Sequence, residues 1–306
     1  MTNTPRAAIC LAVYNGSEWL VDQITTIFGQ NGVYVTIFVS VDKSVDGSEA
    51  LVDQLAKSDN RIKIMAHGRQ FGGAAPNFFR IISETDFSDF DYVCFADQDD
   101  LWQPDKLVRA HEKLLSTGAD AYSSNVIAFW PDQRHVIINK SQKQVEWDFL
   151  FEAAGPGCTY VMKKDLVIAA QAVIHRRWAE LQRVGLHDWF MYAFARANGF
   201  QWIIDDYAGM LYRQHENNQI GVNSGWKALL YRARKVYSGW GLTQSALIAD
   251  LVGLGSHQFV ARWSNGSRVG LVWLACNALK CRRRSRDKWF FALSCLALCS
   301  TRHRFR

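Results

Sequence analysis

Several large protein classes are excluded by what this chain does not contain. Its 306 residues hold seven cysteines, an odd number, with no C-x-x-C pair and no histidine at zinc-like spacing from one. A disulfide framework and a structural zinc site both need such pairing. Cys10, Cys94 and Cys158 stand inside apolar runs and read as small core residues, as expected in a reducing cytoplasm. Residues 1–6 carry no apolar stretch, so no secretory leader is expected. No apolar run reaches the ~20 residues that cross a bilayer. No G-x-G-x-x-G follows the first apolar run and no G-x-x-x-x-G-K-[ST] occurs, so dinucleotide and P-loop chemistry have little support. Internal repeats and low-complexity tracts are absent as well.

What is present is a core-forming chain with a basic end. Hydrophobic residues make up 49% of the sequence, enough for one large domain or a domain with an appendage. The net charge of +6 is uneven. Residues 261–306 contain eleven Lys and Arg against one acid, Asp287, so by difference the preceding 260 residues carry −4. The basic character belongs to the tail.

Apolar runs at 7–13, 34–39, 61–65 and 92–96 alternate with segments of helical periodicity at 17–28, 49–56, 77–83 and 104–115. Buried-type strands alternating with helices at about thirty residues per unit predict a mainly parallel sheet with helices on both faces. Later segments predict one long strand or a pair at 119–129, a short helix at 146–151, and a strand at 158–162. A helix at 163–173, another from about 187 to 198, and a strand at 200–204 follow.

The run Tyr92-Val93-Cys94-Phe95-Ala96 ends in Asp97-Gln98-Asp99-Asp100. Side chains alternate along a strand, so Asp97 and Asp99 are expected to leave its C-terminal end on one side. Ligands of open α/β sheets bind at that edge, and two convergent carboxylates there suit a hard divalent cation. The competing reading is an acidic helix start, since Pro104 follows and aspartates cap helices. Asp42 closes the second strand at the same edge, where a carboxylate serves either a ribose or base contact or its own turn. Asp188 opens a helix whose dipole is expected to keep it ionised, as a cap or as a base. His215 sits in a polar loop.

These segments, taken in order, resemble the family 2 glycosyltransferases of the GT-A fold, and most closely their bacterial rhamnosyltransferase-like members. The likeness runs over residues 7–221. It rests on Val13-Tyr14-Asn15-Gly16, Ser40-Val41-Asp42 with Asp46-Gly47-Ser48, Asn77-Phe78, Asp97-Gln98-Asp99-Asp100-Leu101-Trp102, Gly157-Cys158, His187-Asp188-Trp189, and Tyr212-Arg213-Gln214-His215-Glu216-Asn217-Asn218. The resemblance implies an inverting transferase that uses Mg²⁺ or Mn²⁺ and a nucleotide-sugar donor, dTDP-rhamnose or a UDP-hexose. The acceptor is expected to be a glycan or a lipid-linked oligosaccharide in bacterial surface-polysaccharide synthesis.

Residue by residue, it implies that Val13, Asn15, Asp42, Asn77, Asp97 and Gly157 hold the donor. Asp99 and His215 would ligate the metal, and Asp188 would be the general base. Where the family commonly has Asp-Asp-Gly-Ser, this chain has Val41-Asp42-Lys43-Ser44, which leaves Lys43 near the nucleotide. A D-x-D phosphohydrolase and an inactive nucleotide-sugar binder are the competing functions.

The tail is expected to begin near residue 223, leaving a GT-A domain at 1–222. Residues 226–240 mix aromatics with cations. Apolar runs at 269–275 and 289–299 then flank Lys280-Cys281-Arg282-Arg283-Arg284-Ser285-Arg286. Short apolar helices with Trp and a basic cluster suit the boundary of an anionic membrane, which places the protein at the cytoplasmic face of the inner membrane. A tail packed on the domain is the alternative. Nucleic acid, the third possible partner of a basic cluster, is not expected here, because the paired apolar runs favour lipid.

Overall fold

The computed structural model describes residues 4–215, 238–300 and 305. Strands β1 (Arg6–Val13), β2 (Tyr34–Val41), β3 (Ile62–Ile64) and β4 (Tyr92–Ala96) alternate with helices α1 (Leu20–Phe28), α2 (Ser48–Ser58) and α3 (Ala74–Glu84). Next come β5 (Leu101–Trp102), α4 (Lys106–Thr117), β6 (Ala121–Ser124), β7 (Val126–Phe129) and β8 (His135–Ile138). After β9 (Val161–Lys163) follow α5 (Lys164–Arg176), α6 (Trp178–Leu181), α7 (His187–Ala197), β10 (Trp202–Asp205) and β11 (Met210–Arg213). Five further helices, from Trp240–Leu251 to Ser285–Leu298, complete the described chain.

The centre is a seven-stranded sheet in the order β10-β6-β9-β4-β1-β2-β3. Neighbours in it are parallel except at β9, which runs antiparallel to β4 and β6. A four-stranded sheet, β5-β11-β7-β8, stands beside it. Alternation along β4 divides the core: Val93 and Phe95 join one apolar cluster, and Tyr92, Cys94 and Ala96 the other. This is the period of two that a strand buried on both faces requires.

Register sets the functional edge. Val13 of β1 pairs with Val41 of β2, and Leu11 with Ala96 of β4. Three parallel strands therefore release Asn15, Asp42 and Asp97 side by side.

Several local expectations change. Strand β4 stops at Ala96, so the two-residue alternation does not extend to Asp99, and a turn delivers that residue instead. Helix α4 begins at Lys106, not Pro104, because residues 103–106 form a turn closed by the Lys106 N–H on the Gln103 carbonyl (3.1 Å). Residues 119–129 form two strands in different sheets. The expected strand at 158–162 is a 3-10 turn, Gly157–Thr159, followed by the antiparallel β9.

The C-terminal helices share the main core. Ile248, Val260, Trp263, Leu271 and Leu274 are fully buried in the cluster that contains Phe149 and Phe190. Arg283, only 5% exposed, turns inward to Asp148 (3.2 Å), whose carboxylate also takes Tyr192 and Arg196. The Arg283 backbone N–H donates to Glu152 (2.7 Å), and the Arg282 guanidinium to the Phe151 carbonyl (2.9 Å). Two cations of the basic run are thus internal. The expected boundary at 222/223, the basic aromatic stretch at 226–237, and Glu216, Asn217 and Asn218 lie outside the described residues. No helix among the described residues is long and apolar enough to cross a membrane.

Candidate active site

A cavity of about 1010 Å³ opens at the C-terminal edge of β1, β2 and β4. Val13, Asn15, Asp42, Asn77, Asp97, Asp99, Gly157, Asp188 and His215 all line it. A smaller cleft of about 600 Å³ lies at the opposite strand edge, near Arg6, Tyr34 and Arg61, and is lined by no carboxylate.

The β1 and β2 ends form one wall. Asn15 has φ of 45°, a left-handed conformation that asparagine tolerates better than most residues. Its amide oxygen accepts from the Val45 N–H (2.9 Å) and its own N–H donates to Ser44 Oγ (3.0 Å). Asp42 accepts three backbone N–H groups, from Lys43 (2.9 Å), Phe71 (2.8 Å) and Gly72 (3.0 Å). It therefore anchors the glycine-rich loop over the cavity and keeps limited acceptor capacity for a ligand. The Asn77 amide donates to the Ser40 carbonyl (3.0 Å), bracing β2 from beneath. Val13 is 1% exposed, and its carbonyl accepts from the Asp42 N–H (2.8 Å).

The acids after β4 form the floor. Asp99 Oδ2 lies 2.6 Å from His215 Nε2, and the His215 ring stacks on Trp19 at 4.4 Å. Burial, followed by the charges of Asp99 and Asp188, pushes Asp97 up to about 7. Ligand atoms of Asp97, Asp100 and Cys158 gather within 4.8 Å. Burial raises the Cys158 thiol well above its ordinary value, with the neighbouring Asp100 and Asp97 adding to it. The thiol is thus a proton donor to the acids, and a soft one poorly suited to Mg²⁺ or Mn²⁺. Asp99 and His215 offer an oxygen and an imidazole nitrogen beside a second carboxylate whose charge needs a cation. That donor set fits Mn²⁺ or Mg²⁺.

Asp188 faces them from the start of α7. The residue is 9% exposed, and its carboxylate accepts from the Trp189 N–H (2.7 Å). Burial pushes it up to about 6 against the lowering influence of that bond and of Lys140. The helix start alone would keep Asp188 ionised at low pH; burial outweighs it. Beside it, burial lowers His187 to about 3, so its ring is neutral, stacked on Phe78 at 3.8 Å. A β-carbon at Gly157 would stand 2.8 Å from His187 Nε2 and 3.1 Å from Asp188 Cβ. Only glycine leaves Asp188 its place.

The "Glycosyl transferase family 2" description matches residues 8–156. Over 284 residues, 92% of this chain and 98% of the relative, the sequence is 40% identical to dTDP-rhamnosyl transferase RfbG of Shigella flexneri. The chain belongs to the family 2 glycosyltransferases. Its fold agrees. Residues 1–349 of S. aureus TarS in complex with UDP-GlcNAc align with a TM-score of 0.55 over 94% of this chain and 79% of that one, at 14% identity. The mannosyltransferase PcManGT of Pyrobaculum calidifontis, in complex with GDP-Man and Mn²⁺, gives 0.54 over 98% and 87%, at 16% identity. Those two likenesses are of fold.

This family 2 glycosyltransferase also carries site residues that sequence reasoning passed over. Gln98 closes a reciprocal pair with Tyr14, accepting its N–H (2.8 Å) and donating to its carbonyl (2.9 Å). It thereby ties the β1 turn to the acidic turn. As the neutral residue among three acids, it was the visible signal. Lys140, Arg282 and Arg284 also line the cavity. Nothing local in the sequence marks Lys140, and the arginines read there as a surface run.

Proposed function

We propose that the protein moves a sugar from a nucleoside diphosphate donor to a hydroxyl of a glycan or lipid-linked acceptor, inverting the anomeric carbon. dTDP-rhamnose is the first donor, because the Shigella relative named for it matches nearly end to end; UDP-hexoses are the second class. The observation that carries this reading is one buried carboxylate, Asp188, held at about 6 in the same cavity as the Asp99–His215 pair. A base of that strength is largely ionised at neutral pH yet still able to take a proton, the range in which general-base catalysis works best.

In this reading the nucleoside lies against the turn at Val13 and Asn15 and the Asp42 wall, with Asn77 bracing it. Asp97 stands near the ribose, and Gly157 leaves room for the sugar. Asp99 and His215 would hold a Mg²⁺ or Mn²⁺ ion. Bound there, the ion supplies charge neutralisation for the departing diphosphate. Asp188 takes the acceptor proton as its oxygen attacks. With a single base and no covalent intermediate, displacement inverts the centre.

Attachment to the cytoplasmic face of the inner membrane belongs to the same proposal. The helix Ser285–Leu298 leaves Trp289 75%, Phe290 61% and Leu293 60% exposed, with Arg286 and Lys288 beside them. An apolar face next to cations suits an anionic bilayer. Replacing Trp289, Phe290 and Leu293 by serine is expected to reduce pelleting with anionic liposomes, and unchanged pelleting would remove this part.

The donor assignment is tested by nucleotide release from dTDP-rhamnose, UDP-glucose, UDP-GlcNAc and GDP-mannose with and without Mn²⁺. Metal-dependent release fastest from dTDP-rhamnose is expected. No release from any of the four would overturn the transfer reading.

A further inference from the structure

Asp97, Asp99 and Asp188 share the cavity's lining with Lys140, Arg282 and Arg284. The carboxylates beside these cations are already engaged. Glu152 lies 3.7 Å from both Arg282 and Arg283, and Asp287 lies 3.9 Å from Arg282 and 3.4 Å from Arg286. Asp148 is taken by Arg196 and Arg283. Among the described residues no carboxylate comes within 4.0 Å of Lys140 Nζ or the Arg284 guanidinium. Among the described residues these two cations thus face the cavity without a direct ion pair, Glu152 and Asp188 acting on Lys140 only from farther off, an arrangement that an arriving anion would relieve. Burial holds Lys140 below its ordinary value, Glu152 opposes this, and Arg283, Arg284 and Arg282 lower it further.

The neighbours of these cations tell which substrate brings the anion. Lys140 packs on the glycine loop, its Cβ 3.7 Å from where a side chain of Gly155 would begin, and its charge reaches Asp188. It stands on the base's side of the cavity, where an acceptor hydroxyl must sit. The donor's diphosphate would be served by the cation that Asp99 and His215 would hold. Arg284 in turn immediately precedes the helix whose outer face exposes Trp289, Phe290 and Leu293. An anion held there is continuous with an apolar surface.

We infer that Lys140 and Arg284 form an acceptor subsite for the diphosphate that joins a short glycan to its lipid. This rests on the transferase reading above and narrows it: the accepted sugar lies close to the lipid, so the reaction comes early in chain growth. The preceding reaction must be of the class that places a sugar on a lipid diphosphate.

The test is calorimetric titration of farnesyl diphosphate into the full chain saturated with dTDP and Mn²⁺, in 0.15 M salt. Wild type is expected to bind it, and the double variant K140Q/R284Q to bind at least tenfold more weakly, with dTDP affinity changed less than threefold. Equal binding by the variant would overturn the subsite. So would displacement of farnesyl diphosphate by dTDP, which would put it in the donor site. Inorganic pyrophosphate binding as tightly as farnesyl diphosphate would overturn the lipid assignment, and farnesol binding as tightly would overturn the role of the cations. Failure of dTDP itself to bind would defeat the donor reading, while the farnesyl diphosphate arms still decide the subsite.

Discussion

His215 Nε2 lies 2.6 Å from Asp99 Oδ2 although 116 positions separate them in the chain. The pairing of β11 with β5, Leu211 against Leu101, produces the approach. The Arg213 N–H on Asp100 (3.1 Å) and the Arg213 guanidinium on the Asp99 carbonyl (2.8 Å) then lock it. If the pair ligates a divalent ion, His215→Ala should raise the Mn²⁺ concentration for half-maximal turnover. Loss of an outer-shell partner alone costs about 10–100-fold in metal affinity, and loss of a direct ligand should cost no less. EDTA should abolish turnover in both proteins and excess Mn²⁺ restore it. An unchanged Mn²⁺ requirement in the variant would remove His215 from the metal site.

The pH profile follows from Asp188. Its folded value of about 6 stands above the unfolded value of about 3.9, and if Asp188 is the base only its ionised form serves. At fixed Mn²⁺, kcat/KM should be flat above pH 7 and fall about tenfold per unit well below pH 6. The stability sign is the reverse of a salt-bridged carboxylate. Because the folded value is raised, the neutral form favours folding, and that contribution is lost as pH rises through about 6. Asp188→Asn should therefore raise the unfolding free energy at pH 7 by up to about 3 kcal/mol. A denaturant titration checks this, and a destabilised variant would contradict it.

Gly157→Ala probes the placement of Asp188 without replacing that residue. The new methyl meets His187 and Asp188 at 2.8 and 3.1 Å, so one of them must shift. A displacement near 1 Å costs about 10²-fold in rate. A loss of that order in kcat with an unchanged far-UV spectrum is expected, and wild-type kcat would show that the loop tolerates the methyl.

Arg283→Ala should destabilise the whole chain. It leaves the fully buried Asp148 with Arg196 and Tyr192 alone and frees the Glu152 contact. Breaking a buried pair from one side costs about 3–5 kcal/mol. A single cooperative transition at lower denaturant is expected, because the C-terminal helices share the core. Two separate transitions would mean that the tail unfolds alone.

Much of the donor edge was legible because its strands are apolar runs that end in turns or acids. The ends at Val13, Asp42 and Asp97 needed only a parallel sheet to meet, and the alternation of strands with helices predicted one. The direction and register of β9 were not legible, since they are decided by the partners Val93 and Tyr122 rather than by local residues. The inward turn of Arg282 and Arg283 was hidden for a similar reason: the acids and carbonyls that receive them lie about 130 positions earlier. Asn15 and Asp42 also hold their own loops, a role that sequence alone could not separate from ligand contact.

The most direct test sets Asp188→Asn against wild type in two measurements, dTDP binding with Mn²⁺ by calorimetry and sugar transfer at pH 7.5. If Asp188 is the base, transfer falls by about 10²–10⁴-fold while dTDP affinity stays within threefold. Transfer at near wild-type rate by the variant would contradict the account.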